Sequence, residues 1–400
     1  MKNTNRHLLR LSAIALSVAV LAPAAIAQLN IPNADGSDGA LVVSNNLTID
    51  LSQAGTGSWT NTSANPGKGT YDPSQWAVVF KYSSVTISNG ATLTFVNHGT
   101  HAPVVWLVSN NVAINGTLSL DGQSFSGDAL HLTEPGPGGF RGGGSPTYGS
   151  GSGFGPGGGA LGGSGGGSYA GAYGNPQIVP LMGGSGGTGN GNNGGAGGGA
   201  ILIAAAGSIT LNGTCHSTGG DGQCCWSAYG GSGGAIRLVA NQILGSGSIT
   251  ALNGYGGNSS GRIRIEGNTV SSNLFVNPSV GTVQPANPPV IFPATNGPTV
   301  SIVSVGGVSA PADPKGRVDL NVDEDLTLSV TNAVTIQLQT ANFPTNGVVN
   351  VYIKPRNAQQ TVVQAIFDSG TTNLANWHVT TPLNYAINQG HTVIQARAVY

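Results

Sequence analysis

Two stretches of this chain read as copies of one motif, and a long glycine tract separates them. Residues 102–122 and 199–219 share an apolar run, a short polar turn, an alternating Val/Ile/Leu segment and an Asn-Gly corner. The tract at 136–199 holds nearly half of the 66 glycines, and no Asp, Glu, Lys or Arg occurs between Gly142 and Gly220. A repeat interrupted in this way predicts a solenoid that carries a large insertion on one side. A third copy runs over 234–254, and a fourth opens at Gly261. Aligned, Val104, Ile201, Ile236 and Ile263 fall in one column, and Val112, Ile209 and Ile243 in another. Cys215 takes the place of Leu118 and Ile249. Like residues stacked on successive turns fill the narrow core of a parallel β-helix. A sandwich of antiparallel hairpins is the competing arrangement.

The rest of the chain is also written in short alternating strands closed by Asn-Gly, Gly or Pro, with almost no helical periodicity. Residues 277–298 contain six prolines and read as a stiff spacer. Beyond them, alternating runs at 299–305, 326–330, 334–338, 348–353, 361–367 and 392–399 have the spacing of an immunoglobulin-like sandwich. It has no cysteine pair, and Trp377 or Tyr352 is the expected core aromatic. The fold expected is therefore all-β. A parallel β-helix spans 28–276 with a glycine-rich insertion at 136–198, a Pro-rich linker covers 277–298, and a β-sandwich covers 299–400.

Ordering glycine costs about 0.5–1 kcal/mol per residue relative to alanine. An ordered tract must recover this through dense hydrogen bonds between neighbouring extended strands, as in polyglycine II, which has none within a strand. The apolar island at 175–182 favours order over a loose tether. Phe140, Tyr148, Phe154, Tyr169 and Tyr173 punctuate the tract. Their rings either fill gaps between glycine strands or stack on a sugar or another surface polymer.

Lys2, Arg6 and Arg10 precede an apolar run at 11–21, and Ala25, Ile26 and Ala27 fit a cleavage site before Gln28. Residues 1–27 are thus a signal peptide, and the mature chain is exported to the periplasm, the cell surface or the medium. The apolar run is too short to span a membrane comfortably, and no second candidate follows. Export permits disulfides, with Cys215, Cys224 and Cys225 as candidates. Their odd number and the inward column of Cys215 equally suit a buried free thiol.

Segments at 76–82, 139–143, 180–187 and 198–204 resemble glycine-rich exported proteins of environmental bacteria. The likeness covers roughly 35–266. It implies export and a solenoid, and it supplies no catalytic residues.

Charged residues make up only 7% of the chain and the net charge is -1, so no basic stripe exists for nucleic acid. Three Gly-Gly-Ser-Gly-Gly runs, at 162–166, 183–187 and 230–234, match a serine-hydrolase pattern by composition alone, since no helix follows any of them. The Asp-Gly turns at 35–39 and 219–222 lack the oxygen density of a calcium site, and the cysteine spacing matches no zinc pattern. No metal or other cofactor is expected. His98 and His101 have no acidic neighbour in sequence. Asp121, Asp128, His131, Glu134 and Arg141 form one group of acids, histidine and base, as a polysaccharide lyase or glycoside hydrolase would need. They equally suit a solvated loop that leads into the glycine tract. The leading expectation is a secreted or surface-displayed, non-enzymatic structural or adhesive protein that contacts glycans or matrix through its glycine-rich face. The alternatives are a divergent polysaccharide-active enzyme and an ice- or surface-binding protein.

Overall fold

The computed structural model describes residues 28–55, 69–127, 132–144, 150–158, 173–223, 228–257, 259–314, 325–329, 332–355, 360–383 and 392–399. The expected signal peptide at 1–27, Asp128, His131, Tyr148, Tyr169, Cys224 and Cys225 lie outside them. Apart from a short 3-10 turn at Leu51–Gly55, the regular structure is all β.

From Val104 to Asn277, successive turns of chain each lay three short strands parallel to those of the turn before. One turn contributes Val104–Val108, Val112–Ile114 and Thr117–Ser119, and the next contributes Ala200–Ala205, Ser208–Leu211 and Thr214–His216. Ala235–Val239, Gln242–Leu244 and Ser248–Thr250 follow, then Arg262–Glu266, Thr269–Val270 and Phe275–Asn277. The long strand Ala77–Ile87 pairs with both Val104–Val108 and Val112–Ile114, joining two of the three ranks into one sheet of 12 strands. The third rank is a separate sheet of six parallel strands.

The columns of the sequence alignment are the registers of these sheets. Ile201 lies between Val104 and Ile236, and Ile236 lies beside Ile263. Ile209 sits between Val112 and Ile243, and Cys215 between Leu118 and Ile249. All are buried in one core. Cys215 carries a free thiol there, and burial pushes its pKa up to about 12. The insertion does not shift the register. Ser208 donates its N–H to Asn111, and Asn212 hydrogen-bonds Asn115, both across the same 97-residue separation. A one-residue slip would turn every core side chain outward.

Strands at the centre of the large sheet are buried on both faces, which explains their unbroken apolar sequence. On the outer face Val105, Leu107, Leu202, Ala204 and Val239 are covered by Leu29, Ile31, Ile291 and Phe292. Leu29 N–H donates to the Ala206 carbonyl, and Asn30 N–H donates to Asn287 Oδ1. The Pro-rich segment is thus a strap over the sheet rather than a free spacer. Its prolines announced stiffness, but Ile291 and Phe292 decide where it lies.

The C-terminal part forms two antiparallel sheets around one core of Ile336, Leu338, Phe343, Val349, Val351 and Trp377. Trp377 is buried and donates Nε1–H to Thr340 Oγ1 at 3.0 Å, whereas Tyr352 is half-buried. Two strand expectations are corrected. Residues 326–328 form no strand, and the 361–367 run breaks at Ala365. Thr361–Gln364 pairs in the three-stranded sheet and Ile366–Thr371 in the five-stranded one, so the chain changes sheet at this buried alanine.

Candidate functional site

The glycine tract is a solid bundle of extended segments. Along 194–199 successive N–H groups point in three directions. Gly194 and Gly197 donate to the carbonyls of Gly143 and Phe140 at 2.8 and 2.9 Å. Gly195 and Gly198 donate to Tyr229 and Ser232, while Ala196 and Gly199 donate to Gln123 and Leu120. Its carbonyls accept from three further sides, including Gly187 N–H to Gly195, Gly220 N–H to Ala196 and Gly136 N–H to Gly197. A three-residue period with bonds only to neighbours is polyglycine II geometry. A Cβ on Gly194, Gly195 or Gly197 would stand 2.2, 2.0 or 1.9 Å from a neighbouring carbonyl oxygen, so glycine is obligatory there. The side chains that are tolerated recur every third residue, at Ser185 and Thr188, Asn193 and Ala196, and Tyr229, Ser232 and Ala235, and all are buried. This accounts for two of the Gly-Gly-Ser-Gly-Gly runs. Ser232 Oγ accepts the Ser185 N–H at 2.8 Å, and Ser185 Oγ accepts the Gly157 N–H at 3.0 Å.

The described aromatics of the tract are held inside this packing. Phe154 is only 4% exposed and packs with Leu132, Phe140 and Val393. Phe140 is half-buried, 6.2 Å from the Trp76 ring. The Tyr173 hydroxyl donates to the Gly183 carbonyl, the Arg262 guanidinium lies over its ring at 5.3 Å, and burial pushes its pKa up to about 12. These rings fill gaps between strands. Phe154 in particular has no face to offer a ligand.

The acidic group of the sequence is divided between two places. Asp121 Oδ1 accepts the Thr218 N–H at 2.7 Å, and its carboxylate pairs with His216 Nδ1 at 2.8 Å. Glu134 instead meets Arg141 and His101. Its Oε2 accepts from Arg141 Nε and Nη2 at 3.0 and 2.6 Å, and its Oε1 lies 3.0 Å from His101 Nε2 and accepts from Asn97 Nδ2 at 2.9 Å. Burial opposes ionisation of Glu134, but the His101 contact, the Arg141 charge and the Asn97 hydrogen bond outweigh it. They hold the carboxyl well below the usual carboxylate range. A carboxylate so stabilised is a poor proton donor at neutral pH. The fold thus supplies His101 with the acidic partner that its sequence neighbourhood lacks. His98 stacks on Tyr71 at 4.2 Å, and Tyr71 donates to Asp313 at 2.5 Å. Among the described residues no group of three His, Cys, Asp or Glu side chains is placed to hold a metal ion.

A different surface stands out by its regularity. On the outer face of the six-stranded sheet, Thr92, Thr117, Thr214 and Ser248 lie side by side in one rank. Two residues further along the same strands, Ser119, His216 and Thr250 form a second rank, and Thr94, two residues after Thr92, pairs with Thr48 at the edge of the sheet. The inward residues between the ranks are Leu93, Leu118, Cys215 and Ile249, all fully buried. Strict alternation therefore sends every hydroxyl out. Except for the more exposed Thr48, these side chains are half-exposed. Neighbouring hydroxyls also meet, Thr48 with Thr94 at 2.8 Å and Ser248 with Thr214 at 3.4 Å. The array repeats at about 4.8 Å across strands and roughly 6.6 Å along them. His216 is its one titratable member. In sequence the ranks are scattered from residue 48 to residue 250, but the columns flanking Leu118, Cys215 and Ile249 already carried the signal.

No helix among the described residues is long and apolar enough to cross a membrane. Comparison with known proteins finds no family model, curated protein or solved structure that matches the chain.

Proposed function

We propose that this is an exported, non-enzymatic surface-binding protein: a parallel β-helix, braced by its glycine bundle and followed by an immunoglobulin-like sandwich, that holds a flat hydroxyl face against an extended repetitive surface in its surroundings. The observation that carries this reading is the double rank of Thr and Ser on the six-stranded sheet. The glycine tract serves as the brace and not as the contact face, because its interlocked segments at 136–144, 151–155, 183–189 and 193–199 are almost entirely buried. Glycans and matrix polymers are among the surfaces such a face could meet. A polysaccharide-active enzyme is the second reading, favoured only by the contact between His101 and Glu134. Adsorption of the mature chain to insoluble surfaces, with assay of released saccharide, tests the choice. Thr117→Tyr combined with Thr214→Tyr should strongly reduce adsorption, and no saccharide should be released. Saccharide release that disappears in Glu134→Gln would establish the second reading instead.

A further inference from the structure

The two ranks differ from most ligand surfaces in what they omit. Their members carry no Asp, Glu, Lys or Arg, and the one carboxylate tied to them is that of Asp121 on His216, so they offer little to steer a charged polymer. Among the Thr, Ser and His members there is no aromatic ring on which a sugar could stack; the one ring in register with them is Phe275, which lies beside Ser248 on the outermost strand, 59% exposed, and ends the first rank. What they mainly present is the hydroxyl and methyl of threonine, at Thr92, Thr94, Thr117, Thr214 and Thr250, with Ser119 and Ser248 supplying hydroxyls alone. Threonine is β-branched and stiff at χ1, so the hydroxyl positions are set before anything binds. Beneath them the Leu93, Leu118, Cys215 and Ile249 column is fully buried, which keeps the sheet from yielding. Preorganised groups of this kind bind with little loss of side-chain entropy. A partner that repeats on the same short scale, carries no charge and forms hydrogen bonds through every molecule of its surface meets these conditions.

Resting on the surface-binding reading above, we infer that the partner is crystalline water: the two hydroxyl ranks of the six-stranded sheet form an ice-binding face. The hydroxyls repeat at about 4.8 Å in one direction and roughly 6.6 Å in the other, the few-ångström scale on which the molecules of a water crystal also repeat. On this proposal they order a first layer of water, and water bridging two fixed polar groups is almost as favourable as a direct hydrogen bond. The methyl groups between them exclude the disordered liquid. His216, tied to Asp121, interrupts one rank and marks the least regular point of the face.

The test is partition of the mature protein into slowly growing polycrystalline ice, measured as its concentration in the ice relative to the remaining liquid. The wild type should be enriched. Thr117→Tyr with Thr214→Tyr, which puts two rings above the plane, should reduce the enrichment about tenfold, the loss of one substantial contact. Thr117→Val with Thr214→Val keeps the branched shape and strand propensity, and should reduce it less while the melting temperature stays unchanged. Thr380→Tyr, at an exposed position of the C-terminal sheets, should change nothing. Wild type excluded from ice but adsorbed to crystalline cellulose or chitin through the same face would overturn the ice inference and leave the surface-binding reading standing. Wild type that adsorbs to neither would overturn both. Enrichment that the paired tyrosines leave intact would overturn the assignment of the face.

Discussion

Gly197→Ala should destabilise the protein by about 3 kcal/mol or more, while Gly281→Ala leaves its melting temperature nearly unchanged. The new Cβ at 197 would lie 1.9 Å from the Gly184 carbonyl oxygen and 2.2 Å from its carbon. Both atoms are backbone, so no rotamer change relieves the clash. The segment cannot move aside either, because Gly197 donates to Phe140, accepts from Gly136 and stands between residues bonded to four other segments. Overpacking in a closed core costs about 1–3 kcal/mol, and each backbone hydrogen bond broken to escape it adds roughly 1 kcal/mol. Gly281 is the matched control. It is exposed, it has no left-handed φ, and a Cβ there meets nothing within 4 Å. Its replacement gains a few tenths of a kcal/mol from the restricted unfolded chain. Calorimetry on the two variants decides the matter, and equal melting temperatures would mean that the bundle is not close-packed.

The stability gap between the wild type and Lys354→Met should shift in favour of the wild type by roughly 3 kcal/mol as the pH rises from 7 to 10.5. Lys354 is 1% exposed and donates from Nζ to the carbonyls of Gly155 at 2.6 Å and Gly153 at 3.4 Å, joining the C-terminal sheets to the glycine bundle. Burial, reinforced by the Arg397 charge, pushes its pKa down to about 8. The unfolded lysine holds its proton to about pH 10.4. Between these values the unfolded chain binds more protons, so raising the pH favours the folded state. The contribution is complete above the unfolded value and is lost as the pH falls through 8. The elevated pKa values of Cys215, Tyr71 and Tyr173 act in the opposite direction. They are common to both proteins, and the difference removes them. A gap that does not change with pH would show that Lys354 is solvated and the junction open.

The core of the coiled part was legible because its signal is local and repeated. Each turn carries its own apolar triplet of strands, so aligning Ile201, Ile236 and Ile263 already states the register. The packing of the glycine tract was legible only as a class. The recurrence of a non-glycine residue every third position implies threefold strands, but which segments meet depends on the path of the insertion, and that path has no side-chain code. The strap formed by Ile291 and Phe292 was masked by prolines that read as a spacer. Glu134 and Arg141, near in sequence, meet as an ion pair, whereas Asp121 departs to His216 on the next turn, a contact 95 residues away. The hydroxyl ranks are hardest to see in linear sequence. Within one strand they amount to a single Thr-x-Thr or its variant, and only the stacking of turns makes them a surface.

Amide hydrogen exchange over 183–199 tests the braced coil most directly. Every N–H named there donates to a backbone or side-chain acceptor in another segment, so opening any one requires several segments to separate. Exchange should be as slow in this stretch as in the strand Ala200–Ala205 that follows it. Exchange at the rate of an unstructured glycine peptide, with 200–205 still protected, would contradict the bundle and leave the face without its brace.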